Sequence, residues 1–477
     1  MSGFRLPPMD EVRFGFVGLN RGRAGVRPFS LFPGTRVTAI CDLKEEFLAL
    51  CRRTIDDCGR PPAHEYTGSV DAWKKMADDP AVDVVIVGTP INLHSEMANY
   101  FMEHGKHVAV EVPAATTVEE CWRLVETSER TGRFCMLMEN CCYGEMELMF
   151  ANAVREGTIG ELLHAETGYI HDCRNLILPE TRPDGTYKGG SNIWLPVKEL
   201  KNRLTWRGEM VRKQRGNSYP THGLGPVAQM MNVNRGDRFL DIYSVESKTA
   251  AMAEYAREKY GAGSAEEMAV ADIALGDHNT SLIRTAGGKT VRLDYSIMTP
   301  RPYCRISCLA GTRGALRQDA QTLGPGGTKD IEYAFRYALP KTPEHGTHAW
   351  STVADAKAFA KTYEHPLWRD FRDLATTVGG HGGMDFLMFL RMAYCLRRGL
   401  PLDQDVYDLA TWSSLVELSE KSVKTGYPVE VPDFTRGAWK TRPAFDIGGV
   451  DDAWRKEFES VSVHVKEMSA AGKKLRG

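Results

Sequence analysis

The stretch VRFGFVGLNRGRAG, Val12 to Gly25, constrains the fold more than any other part of the chain. A strand-like run leads into a turn that holds Gly18 and Gly22, with Asn20 where a further glycine is usual. Such a turn brings backbone N–H groups and a helix start close to a pyrophosphate. Four more apolar runs follow: RVTAICD (36–42), VDVVIVGTP (82–90), HVAVEVP (107–113) and FCMLMEN (134–140). Helical stretches separate them. TTVEECWRLVETSERTG opens with a capping box, Thr117 to Glu120, and stops at Gly132. Strand–helix alternation predicts an α/β fold with a doubly wound parallel sheet, a Rossmann domain over residues 1–143.

After Asn140 the rhythm changes. EMELMFANAVREG reads as a helix, and ELLHAETGYIHDC alternates like a half-exposed strand. Residues 174–218 are rich in Gly, Pro, Arg and Trp with little periodicity, which is long for an inert loop. Further strand patterns come at FLDIYSVES, HNTSLIRTAGG, KTVRLDYSIM and RISCLAGTRGAL. Residues 320–366 look irregular, and two helices follow, MDFLMFLRMAYCLRRG and VYDLATWSSLVELSEKSVKTG. A second, α+β domain with a mostly antiparallel open sheet is expected over 144–430, serving substrate binding and oligomerisation. Residues 431–477 are expected to be a tail on the surface.

Composition narrows the partners. The 477 residues carry a net charge of −2 and a pI of about 6.7, with no basic run, which argues against a nucleic-acid partner. No apolar run approaches the roughly 18–20 residues of a membrane span. The start, MSGFRLPPMDE, lacks the pattern of a secretory signal, so the chain as written is expected in the cytoplasm. A removed leader would place it in the periplasm or outside the cell. Eleven irregularly spaced cysteines include no pair of CxxC motifs, so no zinc site is expected. Cys141 and Cys142 read as packing residues.

The cofactor follows from the strand ends. Asp42 closes the second run, 24 residues after Gly18. An acid there accepts hydrogen bonds from ribose hydroxyls and repels a 2′-phosphate, which selects NAD over NADP. Arg21 is placed to face the pyrophosphate. Thr89-Pro90 followed by His94, and Glu111-Val112-Pro113, lie at the edge where open α/β sheets bind ligands. His94 is expected to pack on the nicotinamide or to cap its helix.

VGTPINLHSEMANYFMEHGKHVAVEVPAATTVEEC resembles the Gfo/Idh/MocA oxidoreductases. Those chains pair a Rossmann domain with a C-terminal α/β domain and carry Glu-Lys-Pro at a strand end. Here Val112 replaces the lysine that helps deprotonate the substrate, and a valine transfers no proton. GLNRGRAG, EVP, MENCCYGEMELM, HAETGYIHDC, LTWRGEMVRKQRGNSYPTHGLGPVAQ, PRPYCRIS and GGHGGMDFLM together resemble a branch that lacks the lysine, glycoside hydrolase family 109. The resemblance implies NAD contacts at Asn20, Arg21, Asp42, Ile91, Asn92, Leu93, His94, Glu111, Val112 and Asn140. It implies sugar contacts at Tyr169, Arg207, Tyr219, Pro220, Thr221, His222 and Tyr303.

It also implies chemistry: α-N-acetylgalactosaminidase action on a glycan bearing a terminal N-acetylhexosamine, with tightly held NAD that is not consumed. Oxidation at sugar C3 acidifies the C2 proton. A base removes it, the C1 substituent leaves, water adds, and hydride returns to C3. Most glycosidases instead place two carboxylates across the bond, and NAD-dependent families are exceptions. Proton transfer is assigned to His222 and Tyr169, with Tyr303 assisting. Arg207 is assigned to binding, and Trp206 beside it to stacking on a sugar face. His381 and Asp385 in GGHGGMD mark either a loop at the site or a helix start. Superfamily analogy implies a dimer or tetramer. The alternative is an NAD-dependent sugar dehydrogenase of the same superfamily.

Overall fold

The computed structural model describes residues 4–188, 194–318, 329–340, 347–444 and 446–471. Its first sheet holds six parallel strands: β1 (Val12–Val17), β2 (Thr35–Cys41), β3 (His64–Tyr66), β4 (Val84–Val87), β5 (His107–Val110) and β6 (Cys135–Leu137). Their order, β3-β2-β1-β4-β5-β6, reverses direction at β1 and β4, and that switch point is where open α/β sheets take ligands. The Thr117–Glu120 capping box forms, with Thr117 Oγ1 accepting from Glu120 N at 3.1 Å. Gly132 closes that helix at φ 64.

The second sheet is built from β7 (Leu162–Ile170), β10 (Phe239–Glu246), β11 (Asn279–Thr285), β12 (Thr290–Ser296), β13 (Cys308–Gly311), β14 (Ala315–Gln318), β15 (Phe335–Ala338) and β16 (Val429–Glu430). A separate pair, β8 (Thr186–Lys188) and β9 (Trp194–Pro196), lies in the 174–218 segment. The eight strands run β15-β14-β13-β7-β12-β11-β10-β16. All of these pairs are antiparallel except β7–β12. This matches the expected α+β architecture.

Several expectations need correction. The region read as irregular after residue 320 holds β15 and a helix at Val353–Tyr363, and a third helix, Pro366–Val378, precedes the two expected ones. The segment read as a surface tail contains the helix Asp452–Ala470, which buries Trp454, Phe458, Val461, Val465 and Met468. These residues recur every three or four positions, an apolar stripe that docks on the first sheet's helical layer. Phe458 meets Phe32 at 5.3 Å, while Phe386 and Phe389 of the helix Met384–Arg398 meet Phe32 and Phe29 at 5.0 and 5.2 Å. The helix Val406–Thr425 also returns to this half, where Glu417 accepts from Val118 N at 2.6 Å. The helices Met384–Arg398 and Asp452–Ala470 therefore pack on the first sheet's side, while Val406–Thr425 lies against both halves, with Ser422 Oγ accepting from Ser244 N of β10 at 2.8 Å.

Candidate active site

At the first turn Gly18 has φ +82, and an added Cβ would sit 2.6 Å from the backbone of Gly88 and Thr89. Only glycine allows this approach of the turns that follow two neighbouring central strands, β1 and β4. Asp42 accepts from Leu19 N at 2.7 Å and Lys44 N at 3.0 Å, which fixes its carboxylate at the end of β2. Burial pushes its carboxyl above the usual range. A carboxylate has about four acceptor sites, so capacity for ribose hydroxyls remains. The tight glycine turn and the acid at the strand end fit NAD.

Arg21 does not stand free for a pyrophosphate. Its guanidinium binds Asp385 at 2.7 and 3.0 Å and Glu111 at 3.0 Å. Asp385 is fully buried and also accepts from Asn140 Nδ2 at 2.7 Å and pairs with His381 Nδ1 at 2.9 Å. Burial works against its ionisation, but Arg21 and His381 hold the carboxyl well below the usual range. The GGHGG loop is thus brought to the cofactor crevice, with His381 half-exposed. His94 neither caps its helix by a side-chain bond nor stands open to a ligand. It is buried, with Nδ1 2.8 Å from Pro113 O and Nε2 2.7 Å from Thr89 O, so it braces the turns after β4 and β5. Ile91 and Val112 are buried beside these turns, Leu93 is half-buried, and Asn20 and Asn92 are exposed.

The sugar-side residues converge on one aromatic wall. Tyr169 lies 5.0 Å from His222, 5.5 Å from Tyr219 and 6.0 Å from Tyr303, centroid to centroid. His222 occupies the first turn of the helix Thr221–Met230, which follows Pro220. Two glycines set its place. A Cβ on Gly223 would meet the Gly168 backbone at 2.8 Å, and one on Gly225 would meet Glu139 Cγ at 2.8 Å. The helix therefore wedges between β7 and the residues that follow β6.

That wedge pairs His222 with a residue the sequence reading missed. Glu139 is fully buried, and its Oε1 lies 2.7 Å from His222 Nδ1 and accepts from Cys141 N at 3.0 Å. Gln404 clamps its backbone with bonds of 3.0 and 2.9 Å. Burial opposes ionisation of Glu139, and His222 outweighs it, so the carboxyl sits below its usual range. Thr221, expected at the sugar, is instead fully buried beside this carboxylate. Glu139 lay open to the rule that found Asp42 and Glu111, an acid at the end of an apolar strand.

Cys141 is more than packing. Its Sγ lies 3.4 Å from His222 Nδ1 and 3.8 Å from Arg305 Nη1. Arg305 donates to Tyr303 Oη at 2.5 Å and pairs with buried Glu147 at 2.7 Å. Tyr169 Oη meets His171 Nδ1 at 3.0 Å. Burial pushes the phenols of Tyr169, Tyr219 and Tyr303 well up, so each stays protonated and acts as a donor. Arg207 lies 4.5 Å over the Trp206 ring and 5.5 Å from that of Tyr219, with no carboxylate partner among the described residues. Trp206 therefore stacks on Arg207. Burial holds the His171 imidazole below its usual range, and its ring lies 5.2 Å from that of Tyr303, on the same aromatic wall of the cleft.

Comparisons with known proteins give the family and the fold. A sequence profile described as "Glycosyl hydrolase 109, C-terminal domain" matches residues 143–441, and one described as "Oxidoreductase family, NAD-binding Rossmann fold" matches 12–139. A Glycosyl hydrolase family 109 protein of Shewanella pealeana is 42% identical over 452 residues, covering 94% of this chain and 91% of the relative. An Alpha-N-acetylgalactosaminidase of Bacteroides fragilis is 40% identical over 443 residues, covering 92% and 95%. Among solved structures, levoglucosan dehydrogenase in complex with NADH and levoglucosan superposes with a TM-score of 0.58 at 16% identity, covering 88% of this chain and 100% of that one. The aldose-aldose oxidoreductase of Caulobacter crescentus complexed with glycerol gives 0.56 at 16%, covering 88% and 99%. These two share the fold. With both halves matched and curated relatives near 40% identity along almost the whole chain, the protein belongs to glycoside hydrolase family 109, on an NAD-binding Rossmann framework.

Proposed function

We propose that the protein removes terminal, α-linked N-acetylgalactosamine from glycans with retention of configuration. The name of the Bacteroides fragilis relative supports the sugar. One observation carries the reaction type: every carboxylate named around the cleft is already engaged. Glu111 and Asp385 hold Arg21, Glu139 holds His222, and Glu147 holds Arg305. No such pair is left to work as free acid and base across a glycosidic bond. NAD bound in the crevice would supply a hydride acceptor at sugar C3 and return the hydride after cleavage.

The side chains divide the remaining work. His222 keeps Nδ1 toward Glu139 and leaves Nε2, which has no partner among the described residues, to accept and return a sugar proton. Glu139 fixes the tautomer and stabilises the imidazolium. Tyr169, Tyr219 and Tyr303 donate hydrogen bonds to oxygen as negative charge develops. Arg207 binds the hydroxyls or the acetamide carbonyl. His381 repeats the His–carboxylate pairing with Asp385, and its side chain is 53% exposed against 14% for His222. It is the group suited to exchange a proton with the leaving aglycon. The dehydrogenase reading lacks its base, since Val112 is buried and inert.

The exposed sheet face supports a homo-oligomer, as Tyr243 and Val245 on β10 and Leu282 on β11 present an apolar patch. No helix of the described residues is long and apolar enough to cross a membrane. All eleven cysteines are unpaired, which supports a reducing compartment. The test is a panel of aryl glycosides assayed with NAD-stripped and NAD-restored protein. Restored protein should cleave aryl α-N-acetylgalactosaminide and place solvent deuterium at C2 of the product. Full-rate cleavage by stripped protein would overturn the reading.

A further inference from the structure

We propose that Glu139, Cys141 and His222 also form a binding site for one thiophilic divalent cation, zinc above all, and that its occupation switches the enzyme off. The inhibitory half rests on the proton-transfer role of His222 given above. The three side chains offer a carboxylate oxygen, a sulfur and an imidazole nitrogen, all within 4.8 Å of one another. His222 Nδ1 is 2.7 Å from Glu139 Oε1 and 3.4 Å from Cys141 Sγ. Tetrahedral zinc with bonds of about 2.0–2.3 Å keeps neighbouring donors about 3.3–3.7 Å apart, so the triad admits the ion after a small separation. Glu139 Oε2 is buried without a hydrogen-bond partner, a second donor atom already stripped of water. Sequence spacing could not reveal this set, because His222 lies 81 residues from Cys141.

Charge and ligand type select the ion. A dication with one carboxylate, one thiolate and one neutral imidazole is electroneutral. That matters because Arg305 Nη1 stands 3.8 Å from the sulfur and is itself neutralised by Glu147. Thiolate and imidazole favour zinc or cadmium over magnesium or calcium. Glu139 and Cys141 are closed to solvent, so the ion enters past His222 from the cleft, where water or a substrate oxygen completes its shell. On binding, the thiol proton leaves to solvent, and the His222 proton moves from Nδ1 to Nε2. The nitrogen that must accept a proton from the sugar is then already protonated.

The experiment titrates the NAD-loaded enzyme with Co²⁺ and then Zn²⁺, following electronic absorption and aryl-glycoside cleavage in parallel. One cobalt per chain should bind with an intense sulfur-to-metal charge-transfer band, zinc should displace it, and a chelator should restore activity. Cys141→Ser should abolish the band and raise the half-inhibiting zinc concentration at least tenfold. His222→Asn should also weaken cobalt uptake at least tenfold, with far-UV circular dichroism and NAD content reporting the folding of both variants. A cobalt complex without the band, or a band that survives Cys141→Ser, would refute the site. Full occupancy with the band and an undiminished rate would leave the triad standing but overturn both the inhibition and His222 as proton acceptor.

Discussion

Glu139→Gln isolates the electrostatic role of the buried carboxylate. In the native protein Oε1 takes two donors, His222 Nδ1–H and Cys141 N–H, while Oε2 faces the Thr221 side without a partner. A glutamine can leave its carbonyl oxygen in the first position and turn its amide toward the Thr221 hydroxyl. The tautomer is kept and only the charge is lost. When His222 accepts a proton, its positive charge sits about 4 Å from the carboxylate charge. At an effective dielectric of about 20 that attraction is worth about 4 kcal/mol. At 1.36 kcal/mol per decade, kcat should fall about 10³-fold, within the usual range of about 10²–10⁴ for losing acid–base assistance. The assay is aglycon release from aryl α-N-acetylgalactosaminide, with NAD content measured on the same sample. A folded, NAD-loaded variant that loses less than tenfold would refute the pairing of Glu139 with His222 as the proton-transfer unit.

Asp385→Asn should lower stability at pH 7 by about 2–3 kcal/mol, the penalty for breaking a buried pair discounted for the partial exposure of Arg21. Because the folded carboxyl is held well below its unfolded value of about 3.9, its contribution is present above that pH and fades as pH falls. The gap in Tm between variant and wild type should therefore narrow below about pH 4, and a constant gap would contradict the linkage. Gly223→Ala drives a Cβ into the Gly168 backbone and should cost about 1–3 kcal/mol while displacing His222, read as lowered Tm and kcat together. Asp42→Ala should let the protein retain NADP, measured by binding after NAD is stripped, and unchanged discrimination would remove Asp42 from cofactor choice.

Legibility followed locality. The five buried strands of the first sheet announce themselves as apolar runs ending in a turn, and the capping box at Thr117 forms as written. β3 gave no signal because His64, Glu65 and Tyr66 make a short, exposed edge strand. The helix Asp452–Ala470 carries a legible apolar period with an Asp451 N-cap. Pro366–Val378 starts after a histidine N-cap, an unusual opening that hid a strongly amphipathic helix. At the site, the strand ends and the turn glycines were readable. The long-range pairings were not. Arg21 meets Asp385 across 364 residues, and Glu139 meets His222 across 83, so nothing in local spacing marks them. Arg305 and Glu147 escaped for the same reason, being chemically ordinary until the fold sets them beside Tyr303.

The docking of Asp452–Ala470 against Phe32 has a bearing on how the protein is made. Ribosomes deliver the nucleotide-binding strands first and the helix that seals their outer layer more than 300 residues later. During synthesis the nascent first half must wait, with Phe29 and Phe32 uncovered, until the helix Asp452–Ala470 has emerged. Early-stop products should be sticky intermediates that chaperones hold, rather than small working nucleotide binders.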